Sequence, residues 1–535
     1  MTDTGQPGKF YLASGLIFNN KIKYNIMKTN KGICLIFFML LLWSGCTDEL
    51  EYLPIDQLTT NQIINDPELL KTATVGNYSY MRRNRTGDDA QNIRHRVIEY
   101  QSDDLIMMRW SSNHLTYILT YLMVVNNNLA RSFWNIAYYA IFAVNTVIEA
   151  IPDDASAEML NLKGENLWMR AHWMFDLVRV FARPYSHDSP ETNLGVMIRD
   201  NTDVFALPPR STVKECYEFI EKDLLKAAEL MTISKSNKYA SKEVAWATLA
   251  RLYLYMEKND EAIEYANKVI SSNRYQLIPA DKVPWNRLTC EQNSETIFAV
   301  KILPAENMGR TSIGSMFHND VGWGEIMVSS SLMDLLWKCP NDNRKKFIDP
   351  HYKLDANGQK IPDPNEKYYG YAMNDRMGVT SYYSIKFTYE NGVAMLHSPV
   401  YFRLAEMYLI LAEAYAKTGQ NQLALDNVNI IRQRAGLTGD ELFRLDNMRG
   451  YSSVLDIVLD EKRLEFWLEG HRAQDVFRNK RTMDRTYSSW QGWSGPRYIP
   501  YWSNRIINFI HEDEMARNPN LVQNPPLEDL SELPQ

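Results

Sequence analysis

The chain has 535 residues, 45% of them hydrophobic, which allows a large buried core and argues against wholesale disorder. Its formal net charge is −7 and it contains no concentrated run of Lys and Arg, so nucleic-acid binding is not expected. Its five cysteines are far apart and lack Cys-x-x-Cys spacing, which argues against a zinc site and against a dense disulfide framework.

Residues 1–45 are predicted to be an upstream extension followed by a signal peptide. Lys28 and Lys31 precede a short apolar run over 33–43, which is the order of charge and hydrophobicity found in secretory signals. The run is shorter than the roughly 20 residues that span a bilayer comfortably. Met27 is a better start for such a signal than Met1.

The apolar run ends at Ser44-Gly45-Cys46, which resembles a bacterial lipobox. We therefore predict that Cys46 is lipidated and is the first residue of the mature chain. Trp43 departs from the Leu usually found at its position in a lipobox. The alternative is an ordinary signal peptide in which Cys46 is incidental.

The mature chain begins with a helical region. Apolar residues recur at helical spacing over 134–151 and over 157–181, which predicts two long helices. A third helix is predicted to start near Arg210, with Ser211 or Thr212 as its N-cap.

Two helical hairpins show matching patterns of small and apolar residues at tetratricopeptide-like positions. The offsets from the first Ala are 3, 12, 16 and 19 in both windows, which are Ala250, Tyr253, Ala262, Ala266, Val269 and Ala412, Tyr415, Ala424, Val428, Ile431. Small residues at these positions let paired helices approach closely. The windows are more than a hundred residues apart in the chain, so a continuous solenoid is not expected.

Residues 273–400 differ from the helical windows in residue composition and pattern. Pro, Gly and Asn interrupt short mixed runs such as 296–300 and 382–387, which predicts loops with short strands. We therefore divide the mature chain into an N-terminal helical region over 46–272 and a C-terminal region over 273–535. The second region contains the loop-rich insertion and the second repeat.

Two segments near the C-terminus have the most specific pattern in the chain. They are Arg403-Leu-Ala-Glu-Met-Tyr-Leu-Ile-Leu-Ala-Glu-Ala-Tyr415 and Asp460-Glu-Lys-Arg-Leu-Glu-Phe-Trp-Leu-Glu-Gly-His-Arg-Ala-Gln-Asp475. Each is predicted to be an amphipathic helix. In this order, they resemble the signature of the SusD/RagB family of outer-membrane nutrient-binding lipoproteins.

Two shorter segments add to this resemblance. Asn518-Pro-Asn-Leu-Val-Gln-Asn-Pro525 resembles the family's C-terminal segment, although residues 506–510 lack the proline-bracketed run that usually precedes it. Asp48 and Glu49, just after Cys46, resemble the surface-export signal of lipoproteins in the bacteria that carry this family.

The resemblance implies a mainly α fold, with a tetratricopeptide-like helical-repeat scaffold and an irregular loop-rich subdomain that contains short strands. It implies a cell-surface glycan-binding lipoprotein of the outer membrane, without cofactor or metal and without enzymatic activity. Such a protein captures oligosaccharides for polysaccharide utilisation and delivers them to a SusC-like TonB-dependent transporter. The alternatives are a peptide-binding member of the same family, a surface glycoside hydrolase, and a helical-repeat scaffold without a small ligand.

The second signature segment places acidic residues among apolar ones. On a helical wheel that starts from Ile457, Glu461 lies on one stripe with Leu464, Leu468 and His471. A carboxylate on an apolar stripe must be paired or neutralised. We therefore predict an internal ion network in which Glu461 and Glu465 bind arginines, with Arg403 or Glu406 contributed by the first signature segment. The alternative is a catalytic acid and base.

A sugar site needs exposed aromatic rings for the apolar faces of the sugar and polar side chains for its hydroxyls. The loops at 102–110, 319–325 and 367–371 offer this mixture. In the resembling family, glycan contacts come from aromatics in an N-terminal loop and in the irregular middle region. That placement favours the following ligand-binding residues: Asp104, Arg109, Trp110, Trp323, Tyr368 and Tyr369.

Two other features compete with this prediction. An aromatic cluster near the C-terminus could form the site, the core or a face for the transporter, and it comprises Trp490, Trp493, Tyr498, Tyr501 and Trp502. The pair Asp103 and Asp104 could serve glycosidase chemistry, although a capping or ligand-binding role is the alternative.

Overall fold

The computed structural model describes residues 66–82, 90–108, 114–319, 321–487 and 495–533. The predictions for the extension, the signal peptide, the acidic pair and the lipidation of Cys46 lie outside these residues. The described residues fall within one compact unit that spans residues 60–535. The main hydrophobic cluster takes residues from both sides of position 272. The division at 272/273 remains a prediction.

Helices make up most of the described regular structure, as predicted. In chain order they are α1 Pro67–Ser79, α2 Ala90–Glu99, α3 His114–Leu119, α4 Asn128–Ala150, α5 Ala157–Phe181, α6 Val213–Leu230, α7 Lys242–Tyr255, α8 Asn259–Ser271, α9 Ser330–Leu336, α10 Leu404–Lys417, α11 Asn421–Arg434, α12 Val454–Phe466, α13 Arg472–Arg478 and α14 Glu512–Arg517. None of these helices is long and apolar enough to cross a membrane.

Local sequence explains where the central helices begin and what they bury. The predicted helix over 157–181 matches α5, which is buried on nearly all sides and includes the fully buried Trp168. Thr212 is the N-cap of α6, and its hydroxyl and the side chain of Glu215 form a capping box.

The two predicted repeats form the helix pairs α7/α8 and α10/α11. Nine of the ten repeat positions are buried, and Tyr415 is partly buried. Helix α8 also packs against α10, so the two pairs are neighbours in space. The chain between α8 and α10 leaves the helical stack and returns to it, which is why the repeats are distant in sequence.

The strands are short and pair only two at a time among the described residues. All five pairs are antiparallel: β1 Leu105–Met107 with β3 Ile326–Val328, β2 Thr296–Ala299 with β8 Val400–Arg403, β4 Ile348–Pro350 with β7 Tyr382–Ser384, β5 Asp375–Arg376 with β6 Val379–Thr380, and β9 Met483–Asp484 with β10 Tyr498–Ile499. Strand β2 confirms the run predicted over 296–300, and β7 covers the first half of the run predicted over 382–387.

The prediction of one helix over the second signature segment is wrong beyond Phe466. Helix α12 ends there, and α13 begins only at Arg472. Between them, Leu468 has φ 63° and Gly470 has φ 83°. This left-handed backbone cannot continue a right-handed helix. The wheel positions of Leu468 and His471 therefore do not lie on the stripe of α12.

Candidate ligand-binding cleft

Tyr368 and Tyr369 lie in a cluster of aromatic rings in the loop-rich region. The centroid of the Trp337 ring is 5.2 Å from that of Tyr368 and 5.0 Å from that of Tyr369, and both contacts are edge-to-face. The ring of Tyr382, from β7, lies 5.6 Å from Tyr368 in the same geometry. Edge-to-face pairs at these separations are favourable, so the two rings are held by their neighbours.

The carboxylate of Glu366 fixes the loop that carries these tyrosines. Its Oε2 accepts hydrogen bonds from the backbone N–H groups of Tyr368 at 3.1 Å, of Gly370 at 2.8 Å, and of Tyr369. Its Oε1 accepts a hydrogen bond from the hydroxyl of Tyr382. One side chain therefore satisfies three loop amides and ties the loop to β7.

The hydroxyl of Tyr368 is a donor to Asp334. The distance from the hydroxyl to Asp334 Oδ1 is 2.7 Å, and the same oxygen accepts from Lys367 Nζ. Burial and the hydrogen bond to Asp334 both raise the pKa of Tyr368 well above its ordinary value. The phenol therefore stays neutral and remains a donor at physiological pH.

An open cleft of about 570 Å³ lies beside Tyr368. Its lining includes Ile106 from β1 and Val328 from β3, which are nearly fully buried and belong to two strands that pair antiparallel. Its walls contain Tyr368, Tyr382 and a set of polar side chains: Asp363, Asn365, Glu366, Lys367, Asn374, Asp375 and Thr380. The volume falls within the range of small-molecule sites, roughly 300–1,000 Å³. The mixture of aromatic and acceptor groups suits a polyhydroxylated ligand.

Trp323 is exposed but does not line this cleft. Its side chain is 46% exposed, and its indole N–H donates to the carbonyl of Arg310 at 2.9 Å. The guanidinium of Arg376 in β5 binds the carbonyls of Trp323 and Gly324 at 2.6 and 2.9 Å. Asp375, the neighbour of Arg376, does line the cleft. Trp323 is therefore connected to the β5 edge of the cleft through Arg376.

Asp104 directly precedes β1, the strand that contributes Ile106 to the cleft, and its side chain is completely buried. Its Oδ1 accepts from Arg463 Nε at 2.7 Å, and its backbone carbonyl accepts from Ser329 N at 2.9 Å. Burial and the adjacent Asp103 raise the pKa of Asp104, against the effect of Arg463. Because this carboxylate is completely buried, a ligand could reach it only if the surrounding residues moved. The predicted ligand contact at Asp104 stays a prediction, and the structure gives this residue a structural role.

Several predicted contacts lie outside the described residues. These are Arg109 and Trp110 in the first loop, and Trp490 and Trp493 in the competing cluster. Of the remaining cluster members, Trp502 is 50% exposed and Tyr501 is partly buried against His187, with the ring centroids 5.3 Å apart. The structure thus brings Tyr368 and Tyr369 together, connects Trp323 to the same region, and buries Asp104 just before β1.

The signature segments form the predicted ion network in the interior. Glu461 binds Arg344 at 2.7 Å and Arg432 at 2.8 Å, and all three side chains are buried. Glu465 accepts hydrogen bonds from Arg403 and Arg434 and lies 3.3 Å from Arg344. The other acid considered, Glu406, binds Arg251 at 2.6 Å instead.

This network is built for structure rather than for proton transfer. Burial opposes the ionisation of Glu465, but Arg434, Arg403 and Arg344 outweigh it and hold the pKa of this carboxyl well below its ordinary value. A general acid must hold a proton near the working pH, and Glu465 does not. Across the described ranges, no group of three or more His, Cys, Asp or Glu side chains could hold a metal ion.

The residues that organise the cleft are not among the predicted site residues. Trp337 follows a short helix without any ligand-like motif, and Glu366 and Asp334 are isolated acids. The Asp363-Pro-Asn365 stretch does have a turn signature that marks an exposed loop. No spacing rule could show that this loop folds against α9 and β7.

Two family models match different parts of the chain. Residues 350–526 match the model described as SusD family. Residues 50–254 match the model described as starch-binding associating with outer membrane. That description names binding to a carbohydrate at the outer membrane and names no reaction.

The chain is also similar to individual proteins of this kind. A SusD-like protein, P38, from Formosa agariphila is 24% identical over 441 residues, which cover 75% of this chain and 82% of the relative. A crystal structure of a SusD superfamily protein from Bacteroides vulgatus ATCC 8482 is 26% identical with a TM-score of 0.72, and the match covers 86% of this chain and 99% of that one. A SusD-like carbohydrate binding protein from the same strain has 19% identity and a TM-score of 0.67, over 87% of this chain and 99% of its own. Since both family models and the fold agree with the signature segments, the chain belongs to the SusD/RagB family.

Proposed function

We propose that this protein is a cell-surface glycan-binding lipoprotein that captures oligosaccharides in the cleft beside Tyr368. It then delivers them to a SusC-like TonB-dependent transporter in the outer membrane. The observation that supports capture most strongly is the cleft itself, where an aromatic wall stands among carboxylate and amide side chains. The family description of starch binding at the outer membrane supports the same ligand class and location.

The chemistry of the cleft fits a sugar in two ways. The ring of Tyr368 offers apolar surface for the C–H face of a pyranose and is backed by the ring of Tyr382, which is only 7% exposed, while the two hydroxyls are engaged with Asp334 and Glu366. The carboxylates and amides in the walls can accept hydrogen bonds from sugar hydroxyls. A cleft of about 570 Å³ is large enough to hold a short stretch of sugar units.

The anchoring and delivery parts of the proposal rest on other observations. Cys46 in its lipobox-like setting would provide the lipid anchor, and the acidic pair that follows would direct the protein to the cell surface. Incorporation of labelled fatty acid into the wild type, but not into a Cys46→Ala variant, would support the anchor. Incorporation into both would contradict it.

The test of capture is calorimetric binding of the soluble chain that starts after Cys46 against a panel of oligosaccharides and polysaccharides. We expect Tyr368→Ala to weaken binding by about tenfold or more, because a stacked ring contributes on the order of 1 kcal/mol beyond its buried area. Trp502→Ala serves as the matched control, since Trp502 is an exposed aromatic of the competing cluster and does not line the cleft. If Trp502→Ala weakened binding and Tyr368→Ala did not, the binding site would lie in that cluster instead.

Two alternative functions have distinct signatures in the same experiment. New reducing ends in the calorimeter samples would show a glycoside hydrolase, and the capture proposal would then be wrong. Binding to a peptide panel without binding to any glycan would show a peptide-binding member of the family.

A further inference from the structure

The charge of the cleft restricts which glycans it can take. Among the described residues that line it are three carboxylates, Asp363, Glu366 and Asp375, and one ammonium group, Lys367. The ammonium group is paired with Asp334, which does not line the cleft. The described lining therefore has an excess of two formal negative charges, and its one cation is already neutralised.

The other cations of the neighbourhood point to aromatic rings or to backbone groups outside the cleft. Lys345 Nζ lies 4.7 Å from the ring centroid of Trp337, and Lys360 Nζ lies 3.7 Å from that of Tyr352. The guanidinium of Arg376 binds Asn319 and two carbonyls near Trp323. None of these three side chains lines the cleft.

Three of the side-chain hydrogen-bond donors of the lining are engaged within the protein. The hydroxyl of Tyr368 donates to Asp334, that of Tyr382 donates to Glu366, and the amide of Asn374 donates to the carbonyl of Tyr352 at 3.1 Å. An anionic ligand needs such donors, because each of its oxygens is an acceptor. Asn365 and Thr380 add uncharged side-chain donors, whereas the one charged donor of the described lining, Lys367, is paired with Asp334.

The acceptors of the lining are more available. Asp363 Oδ1 accepts from Asn365 N at 2.9 Å, and Asp375 Oδ1 accepts from Gly378 N at 3.3 Å. Within the described ranges, neither aspartate accepts a hydrogen bond at its Oδ2 atom. Sugar hydroxyls and ammonium groups are donors, and these two oxygens match them.

We infer that the cleft selects neutral glycans and glycans with amino groups, and that it excludes glycans whose sugars carry carboxylate or sulfate groups. This inference rests on the proposed function and adds the charge class of its substrate. A uronate or sulfate in the cleft would face Asp363 and Asp375 without a free cation among the described lining residues to balance it. The repulsion is worth on the order of tenfold in affinity at low salt and less at high salt.

The test uses one sugar chain in three charge states. The neutral hexose glycan that binds best in the panel is compared with its C6-oxidised form, which has carboxylates, and with its 6-amino-6-deoxy form, which has ammonium groups. The panel also includes natural uronate-containing and sulfated polysaccharides. We expect the oxidised form to bind about tenfold more weakly than the neutral form, and the amino form to bind at least as tightly, with an affinity that falls as NaCl is raised.

A charge-removing variant separates electrostatics from shape. In Asp363→Asn/Asp375→Asn the amide oxygens can still accept the two backbone hydrogen bonds, so the loops should keep their structure. We expect this variant to recover binding of the oxidised form and to lose the advantage of the amino form. The matched control is Asp440→Asn/Asp446→Asn, which removes two charges from side chains that are 95% and 80% exposed and do not line the cleft.

The outcomes distinguish this inference from the proposed function. If the oxidised form, or a natural anionic polysaccharide, binds as tightly as any neutral glycan, the inference is wrong while capture stands. If the oxidised form binds weakly but the double variant does not restore it, the cause is shape and the inference is again wrong. If no glycan of any charge binds, the proposed function itself fails.

Discussion

The buried network around Glu465 should be among the most sensitive points of the fold. Glu465 accepts hydrogen bonds from Arg403 and Arg434 and lies 3.3 Å from Arg344. In Glu465→Gln, Arg344 would keep Asp342 and Glu461, and Arg403 would keep Glu469. Arg434 would keep a 3.5 Å contact with Glu295 and its position over the ring of Trp285, whose centroid is 4.9 Å from the guanidinium carbon.

The expected loss of stability depends on how many partners each arginine keeps after the substitution. Removing one partner of a buried ion pair usually costs about 3–5 kcal/mol, because it leaves a charge without compensation in the interior. Two of the three arginines have other partners, so we expect a loss of about 3 kcal/mol, most of it from Arg434. Adding Arg434→Met removes the stranded charge and should recover about 1 kcal/mol or more.

The assay is urea unfolding of the soluble chain, followed by circular dichroism, for the two single variants and the double variant. The free energies should not be additive, since both substitutions act on one network. Asp446→Asn is the control, because this carboxylate is 80% exposed and should change stability by less than about 0.5 kcal/mol. A loss below about 1 kcal/mol for Glu465→Gln, or losses that add in the double variant, would show that Glu465 does not compensate the charge of Arg434.

Three further predictions concern the loop, a helix cap and acid stability. Glu366→Ala removes the acceptor of three loop amides and should weaken glycan binding in calorimetry by about tenfold with little change in the unfolding midpoint. Glu68→Ala removes a 78% exposed acid that does not line the cleft, and an equal loss of affinity in this control would contradict the role given to Glu366. Thr212→Ala breaks the capping box of α6 and should lower the free energy of unfolding in urea by about 1 kcal/mol. Thr212→Ser keeps a hydroxyl and should cost much less. Equal losses of stability in the two variants would argue against the cap. Burial lowers the pKa of His95 and of His172 from 6.5 to about 3, and that of His397 from 6.5 to about 4. Between pH 6.5 and pH 4 these side chains therefore bind protons in the unfolded chain but not in the folded one, so the free energy of unfolding should fall as the pH drops. Burial raises the pKa of Glu99 to about 8, so the protonation of this carboxyl stabilises the folded chain as the pH drops. We expect the three histidines to outweigh this one carboxyl. A urea midpoint that stays constant between pH 7 and about pH 4.5 would show that they do not.

The helical scaffold was predictable because its pattern is local. The repeat positions have fixed offsets along the chain, and α5 follows the apolar periodicity over 157–181. The ion network was also predictable in outline, since a carboxylate such as Glu461 among apolar residues needs a partner. Its arginines at 344, 432 and 434 could not be named, because they come from other elements that only the fold brings together.

The break after Phe466 and the cleft depend on tertiary structure. Leu468 takes a left-handed backbone that Leu rarely adopts, and only its packing in the native fold explains it. Tyr368 stood out as an aromatic in a loop, but its partners Trp337 and Asp334 come from α9 and the turn after it. Asp104 looked like a loop acid, yet its carboxylate is buried against Arg463.

A crystal structure of the soluble chain with the panel glycan that binds best would show directly whether the cleft beside Tyr368 is the site of capture. We expect a sugar ring in the cleft, with its C–H face within about 4 Å of the Tyr368 ring and its hydroxyls within hydrogen-bond distance of Asp363 or Asp375. A glycan bound at Tyr498, Tyr501 and Trp502, with the cleft beside Tyr368 empty, would contradict it.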